Sequence, residues 1–288
     1  MIDVTSLQPW FEREQHASDT VGSALTARLA SLLNRAPAEW PMDTPIPPEW
    51  YVQLFAPLAP QASLAADGHP PKGDLLPPVS LPRRMFAGRR VEFWGDLRIG
   101  DMVSRRSRVT SITPKEGSGG DMCFVTLRHE LDTSRGLALV EEQDVVYRAA
   151  AAGPATAATP ARRHDPALER PQPAFSKTLL PDTSMLFRYS AITFNAHRIH
   201  YDQSYTKDTE GYPDLVVNGG LSALLLWDFV RASLDCSIRR SATRNLKPLF
   251  VNRALTIHVS QRQEGGTVHA WINDDTGAQA LQATLEVA

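Results

Sequence analysis

Hydrophobic positions along the chain fall into two rhythms. In VGSALTARLASLLNR, Val21 to Arg35, residues Ala24, Leu25, Leu29, Leu32 and Leu33 recur at a helical period, and Pro37 helps to end the run. After a Pro-rich stretch from Pro41 to Pro82, four segments read as strands: Arg89–Asp101, Met102–Gly117, Asp121–Thr133 and Leu137–Ala150. Most are separated by Gly-containing turns, as antiparallel hairpins favour. The same order returns later. A polar segment leads into an apolar helix from Gly219 to about Leu234, and Leu249–Gln263, Thr267–Asp274 and Ala278–Ala288 then alternate as strands. Each half therefore reads as one long helix packed on an antiparallel sheet, an α+β architecture.

Between the halves lies AAAAGPATAATPARRHDPALERPQPA, Ala149 to Ala174, with no hydrophobic period and much Ala and Pro. That is the composition of a semi-rigid linker. It divides the chain into residues 1–148, the linker 149–174, and residues 175–288. The Pro41–Pro82 connection is long enough to suggest a lid or binding loop.

Composition narrows the function classes. Hydrophobic residues at 42% suffice for a core, and a formal net charge of −2 offers no electrostatic case for nucleic acid or an anionic membrane as partner. The two cysteines, Cys123 and Cys236, fit neither a disulfide framework nor a zinc site and suit a cytoplasmic protein. The first twenty residues carry acids and no apolar signal core. No run approaches the ~18 apolar residues that span a bilayer. His129, His164, His258 and His269 show no metal-ligand spacing.

The chemistry concentrates in RYSAITFNAHRIHYDQSYT, Arg188 to Thr206, followed by GYPDLVVNGGLSALLLWDF. The helix that starts at Gly219 is apolar nearly all round, as a buried helix is. Asn218 can cap it, and Gly219 and Gly220 admit a ligand or backbone to its N-terminus, where free N–H groups carry positive partial charge.

RYSAITFNAHRIHYD with GYPDLVVNGG resembles the MaoC-like, R-hydratase group of hotdog-fold proteins, and within it the acyl-CoA dehydratase branch of mesaconyl-C4-CoA and itaconyl-CoA hydratases. LPRRMFAGRRVEFWGDLRIGD and VEEQDVVYR resemble the same branch, so the likeness covers most of the chain. It implies a double hotdog, two antiparallel sheets each wrapped around a long central helix. A degenerate N-terminal hotdog would shape the acyl-CoA tunnel and a C-terminal one would hold the catalytic site. The implied reaction is hydration of an α,β-unsaturated thioester or its reverse, with citramalyl-CoA as product for the C4-dicarboxylic esters. No cofactor is expected, and a homodimer follows by analogy.

That reaction needs a base for water and a donor for the enolate-like oxygen. His200 suits the first task, since an imidazole titrates near neutrality. The N–H groups of Gly219 and Gly220 suit the second. The wider group has an Asp five residues before its His. Here Asn195 stands in that place, with His197 where an Asn is usual and Arg198 where a Pro is. An amide is no base, so Asn195 is left to hold water through its carbonyl oxygen. Arg198 is a candidate for a substrate carboxylate. Arg83, Arg84, Arg89 and Arg90 form a basic cluster that could meet CoA phosphates. Tyr201 and Asp202 are candidates to orient His200. Trp40, Trp50 and Trp94 line an acyl pocket or simply pack.

Three other functions stay open at this stage. A 3-hydroxyacyl-ACP dehydratase would share the chemistry and use a basic docking patch. A non-catalytic acyl-CoA binder would explain Asn195. A thioesterase would need a carboxylate or activated water facing the thioester carbon.

Overall fold

The computed structural model describes residues 5–36, 38–72, 75–81, 83–117, 120–148 and 171–288. Most of the expected linker, 149–170, lies outside the described residues. The first half runs β1 (Glu14–Thr20), α1 (Ser23–Leu32), then β2 (Arg83–Phe93), β3 (Met102–Gly117), β4 (Gly120–Thr133) and β5 (Gly136–Arg148). The second runs β6 (Pro173–Leu179), α2 (Thr183–Thr193), α3 (Gln203–Asp208), α4 (Gly219–Leu234), β7 (Ile238–Asn245), β8 (Leu255–Ser260), β9 (Thr267–Asn273) and β10 (Gln279–Val287).

The strands form one antiparallel sheet in the order β1-β3-β4-β5-β2-β7-β10-β9-β8-β6. Each half contributes five consecutive places. The halves join where β2 pairs with β7, Gly88 opposite Arg244 through Glu92 opposite Arg240. A bulge between Phe86 and Gly88 sits beside that seam in the β2–β5 ladder. Such a bulge changes which face the following side chains take.

Helix α4 fits the expectation of an apolar helix on a sheet. Leu221, Leu224, Leu226 and Trp227 are fully or almost fully buried, and Val268, Ala270, Leu281 and Leu285 belong to the same core. The indole N–H of Trp227 donates to Ser241 Oγ on β7 at 2.7 Å, so this large side chain leaves no unsatisfied donor. In the first half the helix is shorter and packs beside α2 and the turn Pro48–Gln53. Its Leu29 and Ala30 share one core with α4. A smaller cluster, with Leu7, Val79, Cys123, Val125 and Tyr147, fills the far end of the long hairpins.

Three strands escaped the pattern. β1 (EQHASDT) and β6 (PAFSKTL) are edge strands with largely exposed side chains, so neither shows a hydrophobic period. β6 also takes Pro173 and Ala174 from the end of the expected linker. β7 (IRRSATRN) alternates, but with Ser and Thr at its inner positions. Trp50 is buried against Trp40 at 5.4 Å between ring centroids, whereas Trp94 is on the surface. These rings pack, and Trp94 lines nothing. Among the described residues no helix is long and apolar enough to cross a membrane.

The core arrangement predicts a large penalty for Leu224→Ala. Leu224 of α4 is fully buried, so truncation should cost about 2–5 kcal/mol of unfolding free energy. Urea denaturation of the variant checks this, and a loss near zero would mean that α4 is not packed as described.

Candidate active site

The site is built on two pinned segments. Asp182 caps α2 by accepting from the Met185 N–H at 2.7 Å, and the helix ends at Phe194 in the left-handed region, φ 50°. The chain then turns through Asn195. Its side-chain oxygen accepts from the His197 backbone N–H at 3.0 Å, and a short 3-10 turn, Arg198–His200, follows. The second segment is Leu215–Val217, tied on one side to Ile199 and on the other to Leu249 and Val251. The Val216 carbonyl is therefore fixed.

That carbonyl accepts from His200 Nδ1 at 2.7 Å. The bond places the ring proton on Nδ1 and leaves the Nε2 lone pair free, the tautomer a base requires. His200 is buried, and burial pushes its pKa down to about 4, so the ring is neutral at physiological pH. Three residues beyond Val216, α4 begins. Gly219 and Gly220 are part-exposed, and their N–H groups precede any intrahelical acceptor. A base and a positive helix terminus thus share one strand end.

Several expected partners stand elsewhere. Asn218 does not cap α4 with its side chain. It is buried, its Nδ2 reaches only Ser190 Oγ at 3.4 Å, and its Oδ1 has no protein partner. The Asn195 oxygen, expected to hold water, already accepts a backbone hydrogen bond. Asp202 caps α3 through the Tyr205 N–H and pairs with Arg198, and the Tyr201 hydroxyl donates to the Ala196 carbonyl. Neither orients His200; the Val216 carbonyl does.

Arg198 is also committed. Its guanidinium binds Asp202 Oδ2 at 2.7 Å and the Ala66 carbonyl at 3.0 Å, and it lies over the Tyr205 ring. It ties a loop of the first half to the site, with Asp202 already holding two of its nitrogens. In β2, Arg90 is exposed and held by Asp144 and Glu142. Arg83 pairs with Glu210 and Tyr212. Neither presents a free cation to a phosphate. Arg89 is buried between Glu141 and the Tyr51 hydroxyl, and one of its terminal nitrogens lies near Gly220. Arg84 is the member of the cluster whose charge reaches the His197 ring. At Gly220 a Cβ would fall 2.4 Å from the Tyr189 hydroxyl, so packing alone requires glycine there.

The sequence reading missed Asp67 and His69. They come from the Pro-rich connection and dock on the His200 segment. The Asp67 carbonyl accepts from the Arg198 N–H at 2.8 Å. Gly68, at φ +86°, comes so close that a Cβ would fall 1.9 Å from the Ala196 carbonyl oxygen. His69 Nδ1 hydrogen-bonds Asp67 Oδ2 at 2.8 Å, and the His69 ring lies 3.9 Å from that of His197. His197 stands edge-on to His200 at 5.5 Å. Burial, with His69 and His200 nearby, drives the His197 pKa down to about 2. Burial opposes ionisation of Asp67, but the His69 ring and backbone N–H outweigh it and hold the carboxyl well below the usual range. Asp67, His69 and His197 bring their donor atoms within 4.8 Å of one another, the one group with metal-ligating composition found among the described residues. The signal was the tetrapeptide DGHP inside an unusually long loop.

With this geometry in place, comparison with known proteins is decisive. Residues 50–251 match the family model of hydroxyacyl-thioester dehydratase type 2. The chain belongs to that family. It is 38% identical over 278 residues to the mesaconyl-C(4)-CoA hydratase of Chloroflexus aurantiacus, covering 96% of both chains. A MaoC-like dehydratase from Phytophthora capsici superposes with a TM-score of 0.70 at 14% identity, covering 98% of each chain. A Mycobacterium tuberculosis protein reported to have a double hotdog fold does so with a TM-score of 0.59 at 13% identity over 96% of each. The likeness to these structures bears out the double hotdog. In this dehydratase the two five-stranded halves run on as one sheet.

Two buried histidines and one half-buried one set an acid limit on stability. His129 and His200 have pKa values pushed down to about 4 and His197 to about 2, in each case first by burial. The unfolded chain takes up these protons near pH 6.5 and the folded one only further down. Between those values the unfolded state binds more protons, so stability falls as pH drops from about 6.5 towards 4. The urea midpoint should decline across that window. A flat midpoint would show that these rings are not held neutral.

Proposed function

We propose that this dehydratase adds water to an α,β-unsaturated acyl-CoA, a C4-dicarboxylic branched ester such as mesaconyl-C4-CoA or itaconyl-CoA, giving citramalyl-CoA, and catalyses the reverse. The observation that carries the reading is the His200–Val216 bond, which presents a neutral imidazole beside a helix N-terminus. The 38% identity to a mesaconyl-C(4)-CoA hydratase supports the substrate class.

In this mechanism His200 Nε2 takes a proton from water as the oxygen attacks Cβ. The π electrons move to the thioester oxygen, which the Gly219 and Gly220 N–H groups stabilise. An oxyanion donor of this kind is worth about 3–4 kcal/mol. A proton then reaches Cα. Asn218 Oδ1, buried and without a protein partner, offers water the acceptor first expected of Asn195. The second half supplies these groups, and the first half forms the degenerate hotdog that shapes the tunnel, with residues 149–174 between them. Arg84 is the arginine of the cluster that we assign to the acyl-CoA path, because Arg83, Arg89 and Arg90 are each held by a carboxylate.

The enzyme is proposed to be cytoplasmic, which its two free cysteines suit. It is also proposed to be a homodimer. Phe187 and Phe194, seven residues apart along α2 and both exposed, are the side chains that such a contact would cover.

Mass spectrometry of mesaconyl-C4-CoA, itaconyl-CoA, crotonyl-CoA and a medium-chain enoyl-CoA tests the activity. The intact thioester should gain one water, and His200→Ala should slow this by about 10²–10⁴-fold. Binding without water gain on any ester would instead indicate a non-catalytic acyl-CoA binder. Release of free CoA would indicate a thioesterase.

A further inference from the structure

Hydration moves two protons, one off water and one onto Cα. A histidine that delivers the second must do so as imidazolium, a form that a neighbouring carboxylate favours. His200 faces a neutral carbonyl, and His197 faces two other imidazoles. Asn195 does not titrate. Within this row of rings only His69 touches a carboxylate.

We propose that the Asp67–His69 pair, supplied by the loop of the first half, is the second acid/base of the hydratase site. The proposal rests on the hydratase reading above and adds a residue to it. Asp67 fixes the proton on His69 Nδ1, so Nε2 of this part-buried ring is the reacting edge. In hydration, His69 as imidazolium gives its Nε2 proton to Cα, and the enolate electron pair forms the C–H bond. His200 has meanwhile taken the water proton. The two rings reset when that proton passes from His200 to His69, and the His197 ring lies between them. Dehydration runs the same steps backwards, with His69 as the base at Cα.

Docking of the loop does not explain the pair. The backbone does that work, through Arg198 N–H to the Asp67 carbonyl, the Arg198 guanidinium to the Ala66 carbonyl, and the close seat of Gly68 on Ala196. The His69 ring and the Asp67 carboxylate are not needed for it. A bound cation is the competing use of these residues. Both carboxylate oxygens of Asp67 are already taken by His69, one by the ring and one by the backbone N–H at 2.9 Å. An ion bridging this pair would have to displace the proton that His69 Nδ1 shares with Asp67, so the two uses exclude each other.

The test uses the full chain with mesaconyl-C4-CoA. His69→Ala should lower kcat by about 10²-fold or more with KM changed by no more than about threefold, and free imidazole should restore part of the rate. Asp67→Asn, nearly isosteric, should lower kcat by about tenfold or more with KM little changed, because His69 loses the carboxylate that fixes its proton on Nδ1. The other groups facing this pair are His197, His200, Arg84, Arg198 and Tyr205, and they are unchanged in that variant. Wild-type-like kcat in His69→Ala, or a loss that imidazole does not relieve together with wild-type-like kcat in Asp67→Asn, would overturn the proposal. So would activity that requires Zn²⁺ and disappears with a chelator. A readout without turnover separates this from failure of the hydratase reading. The His69 ring NMR signal, assigned by its absence in His69→Ala, should shift when butyryl-CoA binds. An inert wild type would remove the hydratase reading, and an unmoved His69 signal on binding would remove the pair from the site.

Discussion

The antiparallel seam between β2 and β7 is the constraint on which the site depends. Two separate five-stranded sheets would each expose a strand edge with unpaired N–H and C=O groups. Pairing Gly88–Glu92 with Arg240–Arg244 satisfies them and turns two halves into one surface. It also brings side chains of β2 to the start of α4. Phe86 lies against Gly219 and Arg89 against Gly220, and both belong to the half that carries none of the expected catalytic residues. The bulge beside the seam and the buried Arg89–Glu141 pair set how closely β2 approaches that helix end. A buried ion pair adds little net stability, because desolvation offsets its attraction. Its value here is positional, since it fixes what stands at a glycine-led helix terminus.

From that seam the site follows by short steps. β7 continues the sheet under α4, and α4 presents its N-terminus just after the pinned segment Leu215–Val217. The Val216 carbonyl selects the His200 tautomer, and burial selects its charge state. The loop from the first half then closes over Ala196–Arg198, held chiefly through backbone groups. A side chain at Gly68 would strike the Ala196 carbonyl, so this closure depends on one glycine at positive φ.

The sequence was most legible where a residue's neighbours in space are also its neighbours in the chain. The helix Gly219–Leu234 and the hairpins β3–β4–β5 announce themselves by period and turn. His200 and the glycine pair stand in one motif, and the Val216 carbonyl that holds His200 lies three residues before Gly219. The edge strands β1 and β6 gave no signal, because a strand with both faces wet has no hydrophobic alternation to read. Arg198 and Asp202 take partners that the motif only half shows. Their pairing and the cap at Tyr205 are local, whereas the Ala66 carbonyl that also holds Arg198 arrives from the other half.

Asp67 and His69 were the hardest to find, since they lie more than a hundred residues from His200 in a segment without secondary-structure period. Their presence changes the meaning of Asn195. Viewed within its own motif, Asn195 is a missing carboxylate. In the folded chain a carboxylate stands two imidazole rings away from His200 and arrives from the other half. The first half therefore brings side chains of its own to the histidine row. A fragment holding only residues 175–288 would keep His200 and the glycine-led helix, but it would lose the one carboxylate bonded to the histidine row, the arginine whose charge reaches it, and the strand that covers the helix terminus. The fusion of two hotdogs in a single chain secures that supply, because the loop and the motif it serves cannot separate.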